Sequence, residues 1–353
     1  MKNLQASQEN RNGVCFYGII QEFRELQYFN TLRIGIFCLA QVLLRQAEII
    51  FLQSGPIARN LPDEHDCLFN GPPVADDPRI LDFLRAKYLN PPSPLPYNLT
   101  PPMVNDKYSY PRSSFEVIGH HLMHLFSDQR SGFFFEAGAF DGEMFSNTLW
   151  LEKELDWNGL LVEADPGNFQ LLTWKRRKAW SSNTCISRFP YPLKTTFEAL
   201  QGLESNLPLV FRSNSRAMSS PFRKMDTKWN RNSVKSYFQV QCFPLVSYFQ
   251  ALNVSTVDVM ILDIQGHEWE VIKTLPLDKV TVRVMVVEYY NDSDGGRIVE
   301  GVYNPQFLDY MNKLGYHLLE FEIESNYIMV LKNDTALMEK VNSKSVINTD
   351  ALS

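Results

Sequence analysis

Acids and glycines recur at short spacing in two places along this 353-residue chain. The first is Glu136-Ala-Gly138-Ala-Phe-Asp141-Gly142-Glu143, followed by Glu163-Ala-Asp165, with Glu163 lying 25 residues after Gly138. The second is Asp263-Ile-Gln265-Gly266-His267-Glu268. The first loop reads E-x-G-x-x-x-G, which is neither G-x-G-x-x-G nor G-x-x-x-x-G-K-[ST]. A pyrophosphate needs bare backbone N–H groups at a helix start, and three crowded acids would repel it. A ligand bearing an ammonium and a sulfonium suits such a loop better. Glycine at 138 would let the backbone come close to that ligand.

The elements around these residues set where they sit. FFFEAG (133–138), GLLVEADP (159–166), VDVMILDIQG (257–266) and VRVMVVEYY (282–290) are apolar runs that read as buried strands. GEMFSNTLWLEKELDW, NFQLLTWKRRKAW and HEWEVIKTLP read as helices between them, and SSNTCIS as a short third strand. Strands and helices alternate, then GYHLLEFEIES and NYIMVLKN form a closing antiparallel pair. This order predicts a doubly wound α/β domain with a mostly parallel seven-stranded sheet and an antiparallel last strand. Ligands in such sheets bind at the carboxyl ends of the strands. Both acidic loops fall there. An acid ending the second strand is placed to accept both ribose hydroxyls, so the pattern is that of S-adenosylmethionine. Glu136, Gly138, Asp141 and Gly142 would hold its methionine part and Glu163 its ribose. Ser187 or Asn183 would meet the adenine edge. Asp263, His267 and Glu268 would face a methyl acceptor.

These two long stretches, FEAGAFDGEMFSNTLWLEKELDWNGLLVEADPGNF and VDVMILDIQGHEWEVIKTLP, resemble the FkbM-type methyltransferases, most closely the animal Star-like branch. The resemblance spans about 115–335. It implies an O-methyltransferase acting on a small-molecule or glycan acceptor. For the Star-like branch it implies instead a non-catalytic factor that helps growth-factor precursors through the endoplasmic reticulum, Golgi and endosomes. The family pattern after the fourth strand is roughly K-x-D-x-E-G-x-E. Here Ile261 stands at the lysine position and Gln265 at the first glutamate. A glutamine cannot take a proton at neutral pH. If the family glutamate is the base, catalysis is disabled, and Gln265→Glu is expected to restore it.

The remaining segments suggest a secretory setting. Residues 1–31 are polar. LRIGIFCLAQVLLRQAEIIFL (32–52) is long enough to span a bilayer. Arg45 and Glu48 offset most of its apolar gain, so it reads as a signal anchor or an amphipathic helix. Residues 53–114 contain many of the 20 prolines and read as a stalk with one short helix near Pro78–Tyr88. The layout of anchor, stalk and luminal domain matches the resemblance; a cytoplasmic chain is the alternative. Residues 336–353 would be a tail. Residues 188–236 read as an insertion, either a loop rich in Lys, Arg, Ser and Asn or a lid over the cofactor mouth. Cys185 and Cys242 flank it, and could pair in a lumen or stay as buried thiols.

Other candidates are read more plainly. His120, His121 and His124 lack the glutamate of H-E-x-x-H, and no metal is expected. Lys175-Arg176-Arg177-Lys178 reads as a solvated last helical turn. The net charge of −6 gives no reason to expect nucleic acid. If residues 32–52 span a membrane, chain made with microsomes will carry a glycan on Asn253, Asn291 or Asn333. An unglycosylated product that carbonate extracts from the membrane would reject the anchor.

Overall fold

The computed structural model describes residues 73–100, 114–201, 220–221, 234–289, 304–321 and 326–343. The 32–52 segment and Asn291 lie outside them. Among the described residues no helix is long and apolar enough to cross a membrane.

In chain order the elements are α1 (Pro78–Lys87), α2 (Ser114–Phe126), β1 (Phe133–Ala137), α3 (Leu149–Leu155), β2 (Asn158–Val162) and α4 (Pro166–Lys175). Next come β3 (Trp180–Ser182), β4 (Cys185–Ile186), β5 (Leu193–Gln201), β6 (Ser220–Pro221) and β7 (Val234–Phe243). The chain continues with α5 (Leu245–Ala251), β8 (Thr256–Leu262), α6 (Glu268–Lys273), β9 (Thr281–Glu288) and α7 (Pro305–Lys313). It closes with β10 (Tyr316–Phe321), β11 (Asn326–Leu331) and α8 (Thr335–Asn342). Seven strands form one sheet in the order β10-β11-β9-β8-β1-β2-β3. Strand β11 pairs antiparallel with both neighbours, and the other pairings are parallel.

The apolar runs form central strands because both faces of the sheet are covered. Period-two alternation sends Phe135, Met260 and Leu262 to one face, with Leu84 of α1, Phe249 of α5 and Phe307 of α7. It sends Phe134, Val259 and Ile261 to the other, with Leu122 of α2, Leu151 of α3 and Leu337 of α8. The doubly wound arrangement expected from the sequence is the one observed. Helix α4 starts where Asp165 accepts from the N–H groups of Gly167 and Asn168, with Pro166 at its first position.

The structure corrects several boundaries. Residues 73–100 are no spacer. Ile80 and Leu84 are buried in the core, Ser247 Oγ donates to Ala75 O, and Asn90 bridges Ser181 on the edge strand β3. That bridge covers an edge that would otherwise be open. The C-terminal boundary moves outward too, since α8 packs through Leu337 and Lys340 Nζ donates to Leu125 O. The expected third strand is split: β3 stays in the large sheet, while β4 joins a second sheet of order β4-β7-β5-β6. The described part of the 188–236 insertion includes β5 and the start of β7, which pair antiparallel from Leu193↔Cys242 to Gln201↔Val234. Its polar residues hid strands whose inward positions include Phe197, Ala199 and Val240. The helix expected from Gly142 begins only at Leu149.

A Cys185–Cys242 disulfide joins β4 to β7 across 57 residues. Closing a loop of that length stabilises the chain by about 4 kcal/mol in the chain-entropy account. The double variant Cys185→Ala/Cys242→Ala should lose stability on this scale in urea unfolding. A loss below about 1 kcal/mol would mean that the β5–β7 pairing alone holds the second sheet in place.

Candidate functional site

A cavity of about 350 Å³ opens at the carboxyl ends of β1, β2, β4 and β8, with the second sheet as its far wall. Its size lies within the range of small-molecule sites. Glu136, Gly138, Glu163, Ser187, Asp263, Gln265 and His267 all line it. The strand ends that carry the two acidic loops thus meet at one cavity.

Glu163 directly follows β2 and is buried. Its Oε1 accepts from Asp165 N at 2.7 Å and its Oε2 from Phe140 N at 2.8 Å. Burial pushes its carboxyl up to about 8, against the pull of the two backbone donors. Glu136 is buried as well. Its Oε1 accepts from Asn147 N at 2.8 Å, and its Oε2 from Ser146 Oγ at 2.9 Å and Thr148 Oγ1 at 2.6 Å. Desolvation raises its carboxyl above the usual range, opposed by the Arg177 charge and these donors. By capturing 146–148, Glu136 keeps this stretch out of the helix and delays α3 to Leu149.

Gly138 has φ +84, and a Cβ built there would lie 1.9 Å from Asp263 O. Glycine is required because the ends of β1 and β8 nearly touch. The close approach is therefore to the neighbouring strand, and the ligand expected from the sequence is not needed to explain it.

Four expected residues play other parts. Asp141 is absent from the cavity lining. Its Oδ1 accepts from Glu143 N and Met144 N at 2.9 and 2.7 Å, closing the turn. Gly142 is buried under Leu172 and gives its carbonyl to the Arg177 guanidinium. Asn183 turns away, donating to Glu163 O at 2.8 Å, and borders a separate recess. Glu268 is fully buried beneath the fourth-strand loop, where Oε1 accepts from Ile264 N and Gly266 N. Burial pushes its carboxyl up to about 8. It shapes the loop and does not face an acceptor. Ser187 does border the cavity, though its hydroxyl lies within hydrogen-bond distance of Phe189 O and Tyr191 O.

The loop is also less negative than its composition suggests. Lys175 Nζ lies 2.5 Å from Glu143 Oε2 and 3.7 Å from Asp141 Oδ2. Arg177 is buried and pairs with Glu152 at 2.8 Å. The Lys175–Lys178 run is thus no solvated turn: Arg176 takes a left-handed φ of 57 and directs Arg177 inward. Charge repulsion of phosphate by free acids is therefore not what this loop does.

On the acceptor side, Gln265 Nε2 donates to Asp263 Oδ1 at 2.6 Å and to Glu288 Oε2 at 3.0 Å. His267 is the N-cap residue of α6, and its Nε2 lies 3.4 Å from an Arg188 guanidinium nitrogen. Arg188 also sits over the Phe189 ring, which stacks on Tyr191. The sequence missed Asn147, Arg188 and the apolar wall of Leu193 and Phe197. Of these, only the alternation of β5 carried a signal. The histidines 121 and 124 make ordinary contacts, with Glu320 and Lys340 O.

A family model described as methyltransferase FkbM domain matches residues 136–318. Among solved structures, a TehB-like SAM-dependent methyltransferase from Corynebacterium glutamicum is similar at 9% identity and a TM-score of 0.29, over 60% of this chain and 85% of its own. No curated protein matches the chain.

Proposed function

The chain belongs to the methyltransferase FkbM domain family, and we propose that its cavity binds S-adenosylmethionine for methyl transfer to a hydroxyl of a small-molecule or glycan acceptor. The observation that carries this reading is Glu163: a buried carboxylate at the end of β2, bordering a cavity of cofactor size. Each of its oxygens accepts from a backbone N–H, Oε1 also lies 3.5 Å from Asn168 Nδ2, and Oε2 keeps a lone pair for a ribose hydroxyl. Ile186 of β4 and Phe197 of β5 offer an apolar part of the cavity to an adenine. When bound, the cofactor supplies an electrophilic methyl group.

Asp263 is the residue best placed to take the acceptor's proton. One of its oxygens is held by Gln265, and the side chain borders the cavity. Gln265 serves here as a positioning residue. Its neutral amide gives an N–H to each of two carboxylates, which a glutamate could not do. The disulfide in the cavity wall supports a working place in an oxidising compartment such as the endoplasmic reticulum or Golgi lumen. The Star-like trafficking role is the reading to adopt if the cofactor binds and no acceptor is methylated.

Two tests follow from this geometry. The ribose hydroxyls bind the ionised form of Glu163, whereas the free protein holds that carboxyl protonated below about pH 8. Affinity for 5′-methylthioadenosine, which carries the ribose and no amine, should therefore rise by up to roughly tenfold per unit as pH climbs from about 6.5 towards 8, then level off. Glu163→Gln should flatten the profile, and a flat wild-type profile in calorimetry would place the ribose elsewhere.

The second test concerns Asp263. Asp263→Asn should lower methyl transfer by about 10²–10⁴-fold with little change in cofactor affinity. Gln265→Glu should lower it too, reversing the expectation from the sequence, because a third carboxylate would repel Asp263 and Glu288. A gain of activity in Gln265→Glu would return the base to position 265.

A further inference from the structure

The loop Ser146-Asn147-Thr148 follows the first glycine turn. The hydroxyls of its two outer residues both bond to Glu136 Oε2, and the middle backbone N–H bonds to Glu136 Oε1. The loop is thereby fixed at three points to the end of β1. The middle side chain is not used in this clamp. Asn147 is 9% exposed and borders the cavity, and its Oδ1 is buried with no hydrogen-bond partner among the described residues.

Such an atom calls for an explanation. Buried side-chain acceptors are satisfied in the large majority of cases, and an unpartnered one is costly. A loop that merely needed filling at 147 would be better served by an apolar residue. The terminal torsion of asparagine is broad, so the amide can present its oxygen to a ligand in the cavity without moving the clamped backbone. The ligand atom that fits is a donor, and within the proposed cofactor the strongest donor is the ammonium of the methionine part. Glu136 is a poorer partner for it. Its carboxylate already accepts three hydrogen bonds, and burial favours its neutral form. Asp141 and Glu143, the other acids of this turn, do not border the cavity.

We propose that Asn147 holds the cofactor's ammonium through Oδ1, with Glu136 acting behind it as the residue that positions the loop. This rests on the reading of the cavity as an S-adenosylmethionine site. It reassigns the methionine end from the conspicuous acids to a neutral amide. The consequence is selectivity for ligands that carry the amino acid end. Nucleosides without it would lose nothing when Asn147 is changed.

The test compares two ligands on the full-length protein by calorimetry: S-adenosylhomocysteine, which has the ammonium, and 5′-methylthioadenosine, which lacks it. Asn147→Leu should weaken S-adenosylhomocysteine by about ten- to hundredfold, the scale of a hydrogen bond to a charged group. It should leave 5′-methylthioadenosine within about twofold. Asn147→Asp keeps an acceptor and should bind S-adenosylhomocysteine at least as well as the wild type. Equal weakening of both ligands by Asn147→Leu would mean a structural role and overturn the proposal. So would weakening by Asn147→Asp, because it would mean that the amide donates to the ligand's carboxylate. Wild-type protein that binds neither ligand would instead remove the cofactor reading, and this inference with it. If Asn147→Leu fails to fold, Asn147→Ser, which is too short to reach, replaces it with the same expected outcomes.

Discussion

The strand ladders around this cavity run out at Ala139, Glu163 and Asp263, whose N–H groups still reach a neighbouring strand, and the loop N–H groups beyond them have no ladder partner. They must be satisfied by acceptors carried on the fold itself. Three buried glutamates supply them. Glu136 takes the N–H of Asn147, Glu163 those of Phe140 and Asp165, and Glu268 those of Ile264 and Gly266. Each carboxylate clamps the loop that forms one side of the site. Burying an acid is unfavourable, and desolvation raises all three above the usual carboxylate range. The N–H donors draw them back towards the anion. The site is thus built on groups balanced between charge states, and a ligand that donates hydrogen bonds to one of them tips that balance.

This explains why the acids were legible as a pattern and misleading as an inventory. Their spacing located the ends of β1, β2 and β8, because an acid that clamps a strand-end loop must sit at a strand end. Nothing in the spacing distinguishes an acid aimed at a ligand from one aimed at its own backbone. Glu268 and Asp141 were read as facing ligands and instead hold loops. Asn147 carries no charge and follows no period, so nothing in the sequence marked it, although it borders the cavity.

The same contrast runs through the fold. The large sheet was legible because strands covered on both faces are near-continuous apolar runs, as in VMIL of β8. The second sheet was not, because β5 and β7 each have one polar face, and their Lys, Ser and Gln residues mimic a loop. Arg177 was read with its three basic neighbours as a solvated turn. A single left-handed residue at Arg176 decides otherwise, and local composition does not report it. Helix α1 was expected near Pro78–Tyr88 and lies at Pro78–Lys87, yet its role was misjudged. Ile80 and Leu84 make it a wall of the core.

Gln265 shows how a departure from a family pattern changes meaning once its neighbours are known. It sits at φ +58, a backbone region that costs a non-glycine residue free energy. The strain is compensated by what the position achieves: one amide nitrogen reaching carboxylates on two adjacent strand ends, Asp263 after β8 and Glu288 at the end of β9. Two carboxylates this close repel unless a donor lies between them. A glutamate at 265 would add to the repulsion, whereas a glutamine relieves it and leaves Asp263 held in a fixed orientation at the cavity. On this account the substitution moves the proton-accepting role from 265 to 263. On the proposed reading, a change that reads as loss in the sequence leaves the carboxylate beside it to take the acceptor's proton.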